Sequence, residues 1–394
     1  MSNTSTFWFP GLNGLRFFAA GLVVLMHTHI NQGRMGLPQL PEFPIMQKGL
    51  PAVSLFFTLS GFLITYLLLG EHQAKGSISI KRFYLRRVFR IWPLYFLIIG
   101  FGLLFYWKLV PALGLPFESD YPLGLAIGLY TFFLANLMNS MYHVGGILNI
   151  TWSIAVEEQF YLFWAPMVKR FYRRLPYLIT GITVFSLTVG MLNAANAFHL
   201  SEAWQVFIRS LQFHYMGIGA LFAWLLYSRK DALLQSPFFI SKGWQVLLTS
   251  LLPAYFFFYE KSLIGEVLLP LPLGLLYGWL IVNVGANPNR IFSLEHPVLH
   301  YLGKISYGIY MYHMIVVYGM AFIFGKFTGL HHLPALYFPV YFGMTFGITI
   351  LVAGISYHWL EEPLLKYSRQ RASLHQVGRQ ATAPKAKGPL FSEP

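Results

Sequence analysis

Residues 12–29, LNGLRFFAAGLVVLMHTH, form an apolar stretch of helical length with one arginine near its start and one histidine near its end. In an α-helix, Arg16 and His27 would lie nearly in line, about 16 Å apart along the axis. Ionisable side chains are costly inside an apolar helix and usually serve a function. We therefore expect the protein to be organised around this pair. The alternative is an Arg16 that reaches the lipid headgroups and a His27 bonded to a neighbouring carbonyl.

The composition is typical of a polytopic membrane protein. Of the 394 residues, 56% are hydrophobic and 11% are charged, whereas soluble domains carry about 25% charged residues. In such a protein, a net charge of +14 favours headgroup or phosphate partners and gives no indication of nucleic-acid binding. The chain has no cysteine, which excludes disulfides and a thiol nucleophile, and it has no HExxH motif or P-loop. We expect no metal cofactor.

The distribution of charge predicts the topology. Segments 71–90 and 169–174 are strongly basic and should be cytoplasmic, whereas 110–120 and 193–203 carry only acidic charges. An odd number of crossings must then separate 110–120 from 169–174, although two apolar stretches, 121–138 and 152–168, lie between them. The eleven apolar stretches are 12–30, 50–70, 88–109, 121–138, 152–168, 175–192, 204–227, 243–259, 263–286, 298–324 and 335–359.

Because one of these two stretches must not cross the membrane, we predict an all-α helix bundle with about ten transmembrane helices and one re-entrant segment. We favour 121–138 as the irregular segment, because 152–168 is followed directly by the basic segment 169–174, which should end a crossing on the cytoplasmic side. Both termini are then cytoplasmic, residues 1–366 form the membrane domain, and 367–394 form a disordered, basic cytoplasmic tail. A cell-membrane, multi-pass protein is expected.

A basic cluster opens the third apolar stretch, where residues 80–95 read IKRFYLRRVFRIWPLY. Arg82, Arg86 and Arg90 are spaced by four residues and should share one helix face, with Arg87 close to Arg90. Such a cluster can fix topology and contact lipid headgroups. It can equally hold the phosphates of a nucleotide-bearing coenzyme.

Acidic residues occur inside the apolar stretch that begins NITWSIAVEEQFYLFW at Asn149. Ser153, Glu157 and Tyr161 fall on one helix face. In the predicted topology Glu157 lies about 22 Å from the cytoplasmic boundary, the depth expected for His27. A His27–Glu157 pair could then form, with the carboxylate orienting a general base. The alternative is an ion pair between Glu157 and an arginine.

Two further motifs supply candidate substrate-binding residues. In SLFFTLSGF, Ser60 precedes Gly61, a pair that also favours close approach of helices. In ISYGIYMYHM, Tyr310 and His313 share a stripe, with polar contacts between helices as the default interpretation. We name Ser60, Tyr161, Tyr310 and His313 as candidates.

These motifs together resemble the acyltransferase 3 family of integral membrane O-acyltransferases. The resemblance spans about residues 10–365 and rests on GLRFFAA with His27 eleven residues after Arg16, SLFFTLSGF, RRVFRIWPLY, TWSIAVEEQFYLFW and ISYGIYMYHM. By this resemblance Arg16 and His27 match the essential pair, Arg87 and Arg90 the RxxR element, and Glu157 the acid of the WSxxxE motif.

The resemblance implies an acyl-CoA donor, usually acetyl-CoA, and a hydroxyl of a carbohydrate or glycolipid acceptor. Unlike some members of the family, the sequence shows no fused hydrolase-like domain, so we expect a stand-alone form, with a separate extracytoplasmic partner as an option. His27, Glu157 and Arg16 would be catalytic, and Arg82, Arg86, Arg87 and Arg90 would bind the coenzyme. The residues alone leave two alternatives open: a transporter or flippase for a lipid-linked sugar, and a scaffold for envelope assembly.

Overall fold

The structure is a computed structural model that describes residues 9–40, 49–112, 114, 120–258, 268–368 and 370. Throughout these ranges the protein is helical, and they contain no β-strand. Its principal helices are α1 (Leu12–Arg34), α2 (Gly49–Lys75), α3 (Ile80–Leu104), α4 (Leu123–Thr131), α5 (Ala135–Met141), α6 (Trp152–Arg170), α7 (Leu175–Ala194), α8 (Glu202–Ser210), α9 (Phe213–Ser228), α10 (Lys242–Phe258), α11 (Pro270–Ala286), α12 (Pro297–Lys304), α13 (Ser306–Lys326) and α14 (Pro334–Ser356).

The protein is a multi-pass membrane protein. In the described ranges, five helical stretches are long and apolar enough to cross a bilayer: Pro51–Lys75, Ile80–Ala112, Tyr172–Ala194, Ser306–Lys326 and Pro334–Ser368. The count of about ten crossings and the cytoplasmic termini stay predictions. Apart from residues 367, 368 and 370, the predicted tail 367–394 lies outside the described residues.

The stretch 121–138, predicted to be irregular, consists of the two short helices α4 and α5. Neither has the roughly 20 residues that a crossing requires. The break lies at Phe133, a buried residue with a φ of 55°, whose carbonyl accepts a 2.8 Å hydrogen bond from the Gln159 side chain. By contrast, 152–168 lies within one continuous helix, α6. The stretches 204–227 and 298–324, each predicted as one helix, are also divided into two.

Helices α2 and α9 approach each other backbone to backbone. A Cβ atom added at Gly61 would collide with the carbonyl of Met216, and one added at Gly219 would collide with the carbonyl of Thr58. Small residues permit this separation in membrane helices, where dispersion contacts and hydrogen bonds hold helices together. The close approach expected at Gly61 is confirmed.

The first helix packs against α2, α11, α12, α13 and α14. Its apolar face, with Ala19, Ala20, Val23 and Val24 almost fully buried, packs against α2, α12 and α13. At its start the backbone of Asn13 touches Gly303 of α12, where any side chain would clash. This contact fixes the depth and rotation of the helix that carries Arg16 and His27.

Candidate active site

Five helices, α1, α2, α3, α6 and α13, line a cavity of about 100 Å³, with room for several water molecules. We call it the central cavity. Its polar wall is formed by Arg16, Ser60, Arg87, Arg90, Ser153, Glu157, Tyr161, Ser306, Tyr307 and Tyr310, and its apolar wall includes Phe56, Phe57 and Ile91. The structure thus brings together most of the residues that the sequence predicted, although they come from five separate segments.

The carboxylate of Glu157 is the acidic centre of this cavity. One oxygen accepts a 2.8 Å hydrogen bond from the hydroxyl of Ser60, and the other accepts a 2.9 Å bond from the hydroxyl of Tyr161. Tyr161 lies one helical turn after Glu157, as the spacing predicted. Both carboxylate oxygens are therefore held in fixed positions, as an electrostatic site requires.

Three guanidinium groups share the central cavity with this carboxylate. Arg16, Arg87 and Arg90 lie within electrostatic range of one another, and Glu157 is within range of Arg16. Arg90 is exposed, whereas Arg16 and Arg87 are half-buried. Among the residues that line the cavity, these three cations face one carboxylate, and this local excess of positive charge attracts an anion. Glu158 and Glu361 lie within electrostatic range of Arg87 and Arg90 respectively and offset part of that charge.

Arg16 is held in place by two residues that sequence reasoning missed. Its guanidinium donates a 3.4 Å hydrogen bond to the side-chain oxygen of Asn13, whose amide nitrogen donates to His300 at 2.9 Å. Asn13 precedes Arg16 by three residues, so the two share a helix face. That spacing was the available signal for Asn13, but nothing local indicated His300.

The arginines of α3 divide into two groups. Arg82 and Arg86 each form a 3.3 Å ion pair with Glu71 near the end of α2. Arg87 and Arg90 instead line the central cavity. The stripe of Arg82, Arg86 and Arg90 that spacing predicted is thus divided by the carboxylate of the preceding helix.

His27 has a different partner from the one predicted. Its Nδ1 lies 2.8 Å from Nε2 of His313, and the two rings are stacked at 4.9 Å. Glu157 is occupied by Ser60 and Tyr161. The predicted orientation of His27 by Glu157 is therefore wrong: equal estimated depth did not place the two side chains in contact.

The His27–His313 pair has a defined tautomer. Nδ1 of His313 lies 2.5 Å from the carbonyl oxygen of Tyr310, and a carbonyl can only accept, so this nitrogen carries the proton. In neutral His313 the Nε2 atom then accepts from Nδ1–H of His27. The remaining nitrogen of His27, Nε2, carries a free lone pair. This is the arrangement that a general base or a nucleophile needs.

Tyr310 lies between the histidine pair and the central cavity. Its ring centre is 5.7 Å from that of His313, and its hydroxyl is 2.8 Å from Ser153 and donates to the carbonyl of Ile150 at 2.9 Å. It also lines the cavity. In the described part of the chain, no group of three or more His, Cys, Asp or Glu side chains could hold a metal ion.

The sequence profile of the acyltransferase domain of the acyltransferase 3 family matches residues 9–354, nearly the whole described bundle. The chain belongs to this family. The residues of the central cavity that come from α1, α2, α3, α6 and α13 all lie inside the matched region.

Named relatives agree with the family. A Staphylococcus aureus (strain COL) protein named as a candidate O-acetyltransferase is 26% identical over 381 residues, covering 91% of this chain and 58% of the relative. The O-acetyltransferase OatA of S. aureus strain NCTC 8325 is 26% identical over 387 residues, covering 91% of this chain and 57% of the relative. The chain thus spans little more than half the length of these relatives. No solved structure matches it.

Proposed function

We propose that this protein is a membrane acyltransferase that moves an acyl group, with acetyl as the first choice, from acyl-CoA to a hydroxyl of a carbohydrate or related envelope molecule. The observation that carries the proposal is the convergence of Arg16, Arg87 and Arg90 on one cavity that is also lined by Tyr310, whose ring neighbours that of His313 in the His27–His313 pair. Membership of the acyltransferase 3 family and relatives named for O-acetyl transfer support the reaction class.

The cationic wall suits a donor that carries phosphates. Arg90 is exposed and Arg87 half-buried at the same wall, so phosphates would bind near Arg90 while the thioester extends inward. Guanidinium groups bind phosphate oxygens through two parallel hydrogen bonds. Arg82 and Arg86, paired with Glu71, would contribute their field more than direct contacts.

His27 would act as the base for transfer. Its Nε2 takes the proton of the acceptor hydroxyl while the hydroxyl oxygen forms a bond to the thioester carbonyl carbon. The carbon–sulfur bond then breaks, the ester remains on the acceptor, and the coenzyme thiolate recovers the proton from His27. Arg16, held by Asn13, lies about three helical turns before His27 on α1 and would hold the coenzyme. A brief acyl-His27 intermediate is the alternative route to the same products.

The class of acceptor and the membrane in which the protein resides follow from the same proposal. A carbohydrate or glycolipid acceptor, a bacterial-type cell membrane and a separate extracytoplasmic partner are proposed by analogy with the family. The relatives are named for acetyl transfer, which favours an enzyme over the transporter alternative.

Release of the coenzyme thiol provides the direct test. Because the chain contains no cysteine, a thiol reagent reports coenzyme A alone when purified protein transfers the acetyl group of acetyl-CoA to water or to the hydroxyls of an added alkyl glucoside. We expect His27→Ala to lower turnover roughly 10²- to 10⁴-fold, the usual contribution of a general base.

The matched control is His332→Ala, which removes an exposed imidazole and should leave turnover unchanged. Both variants must elute as folded protein at the wild-type position in gel filtration. Near-wild-type thiol release by His27→Ala would refute the assigned base. Absence of any acetyl-CoA binding or turnover by the wild-type protein would refute the reaction class.

A further inference from the structure

A second cavity, of about 300 Å³, lies against α3, α6 and the break between α4 and α5. We call it the lateral cavity, and its main residues are Tyr84, Trp92, Phe132, Phe133, Glu158 and Leu162. It shares two wall residues, Arg87 and Tyr161, with the central cavity. A molecule in the lateral cavity would therefore be separated from the proposed reaction site by those side chains.

The lateral cavity faces the outside of the bundle. Phe132 is 76% exposed and Leu162 is 68% exposed, and in a membrane protein such apolar side chains contact lipid. Leu162 lies eight residues before Arg170, the basic end of α6, which is about 12 Å along the helix. The opening is thus at hydrocarbon depth.

A tyrosine fixes the rim of this opening. Pro166 has no N–H, so the carbonyl of Leu162, four residues earlier, lacks its usual helical donor. The hydroxyl of Tyr84 donates to that carbonyl instead, at 2.5 Å. This hydrogen bond joins α3 to α6 at the opening of the lateral cavity, so the polar contacts inside the cavity come from other groups.

Glu158 is the polar group inside the lateral cavity. Its Oε2 accepts a 3.3 Å hydrogen bond from the indole N–H of Trp92, whereas its buried Oε1 has no hydrogen-bond partner among the described residues. An unpaired buried oxygen is costly. A bound molecule that supplies a donor would stabilise this arrangement.

The surroundings of Glu158 select the chemistry of that molecule. The guanidinium of Arg87 lines the same cavity and disfavours a cationic head, while the carboxylate itself disfavours an anionic one. A neutral hydroxyl satisfies both conditions, since it can donate to a carboxylate or accept from a carboxylic acid. The aromatic rings of Trp92, Phe132 and Phe133 suit an alkyl chain or the apolar face of a sugar.

We propose that the lateral cavity binds a neutral, hydroxyl-bearing amphiphile that enters from the bilayer, with its hydroxyl on Glu158 and its chain past Leu162. As a statement about the acceptor, this rests on the proposed acyl transfer, for which the cavity would hold the acceptor beside Arg87 and Tyr161, the two side chains that separate it from the central cavity. Glu158 is then an acceptor-binding residue, distinct in role from Glu157.

Photolabelling in lipid nanodiscs tests the site with a defined probe, a diazirine-bearing dodecyl β-glucoside. Labelled peptides should map to α3 around Tyr84–Trp92 and to α6 around Glu158–Leu162. Dodecyl maltoside should compete about tenfold better than dodecylphosphocholine, which has the same chain without hydroxyls, on the scale of one hydrogen bond to a charged group.

Paired variants separate a specific site from adhesion to the lipid-facing surface. Glu158→Leu should weaken labelling about tenfold, whereas Glu158→Gln, which keeps a carbonyl acceptor, should retain most of it. Leu162→Trp narrows the mouth without touching Glu158 and should also reduce labelling. Leu351→Trp, at an exposed residue of α14, is its matched control.

The proposal is overturned if both detergents compete equally, if labels spread over other lipid-facing helices, or if Glu158→Leu and Leu162→Trp both label like the wild type. Thiol release from acetyl-CoA, measured on the same samples, reports the proposed function separately. Specific labelling without thiol release would refute the acyltransferase reaction and leave the amphiphile site. Thiol release without specific labelling would refute the site alone.

Discussion

His313 should control catalysis through the tautomer of His27 without contacting the donor itself. The perturbation is His313→Asn compared with His313→Gln. The amide of a glutamine reaches the place of Nε2 and can accept from Nδ1–H of His27, whereas the shorter asparagine reaches only the place of Nδ1. The two variants are matched in polarity and differ in the one hydrogen bond at issue, the 2.8 Å contact.

The size of the effect follows from that contact. His313 is fully buried, so its loss leaves Nδ1–H of His27 without a partner, a penalty of about 1–3 kcal/mol. Without that partner, the more stable tautomer of His27 is the one with its proton on Nε2. Nε2 must be unprotonated to act as the base, so this tautomer is inactive. At 1.36 kcal/mol per factor of ten, we expect kcat to fall roughly 5- to 150-fold in His313→Asn, with KM for acetyl-CoA nearly unchanged.

The assay is steady-state thiol release, together with ¹⁵N chemical shifts of His27 in protein labelled at histidine. His313→Gln should recover most of the activity and keep the Nδ1–H signal of His27. A purely structural role would lower kcat equally in both variants in proportion to lost stability. Equal activity in His313→Asn and the wild type would refute the tautomer argument.

Three further predictions concern the cavity and the bundle. Glu157→Gln leaves the guanidiniums of the central cavity without their carboxylate, and should lower the free energy of unfolding by up to about 3 kcal/mol. In thermal denaturation, saturating coenzyme A should restore part of this lost stability. A melting midpoint of the variant equal to that of the wild type would contradict the prediction. Arg87→Leu should raise KM for acetyl-CoA roughly 10- to 100-fold. Arg82→Leu should raise it far less, because the Arg82 side chain is already paired with Glu71. Equal increases of KM in the two variants would contradict the division of the arginines into two groups. Gly219→Ala should destabilise the protein by about 1–3 kcal/mol, because the added Cβ meets a carbonyl of α2. Gly181→Ala is the control and should not destabilise the protein, because its Cβ would have nothing within 4 Å. Equal melting temperatures of the two variants would count against the close helix contact.

Local spacing predicted the parts of the site that lie on one helix. Ser153, Glu157 and Tyr161 share the face that their four-residue spacing required, and all three line the central cavity. The charges of the loops likewise required either 121–138 or 152–168 to be irregular, and the basic segment directly after 152–168 favoured 121–138. Both inferences use rules that depend only on residues close in sequence.

Contacts between distant helices were beyond that reasoning. His27 and His313 are 286 residues apart, and the predicted depth is one coordinate of three, so it could not tell which polar group His27 faces. Arg82 and Arg86 illustrate the same limit, since the turn after α2 brings Glu71 beside them. The spacing of arginines along one helix does not indicate which residue of a neighbouring helix will pair with some of them.

Two consecutive side chains of α6 line different cavities. Glu157 lines the central cavity and Glu158 the lateral cavity, which Gln159 also lines while it donates to the carbonyl of Phe133. Successive residues on an α-helix are rotated by about 100°, so inserting or deleting a single residue upstream in α6 would turn Glu157 and Glu158 away from the cavities that they line. Over evolutionary time this helix should accept substitutions but not changes of length.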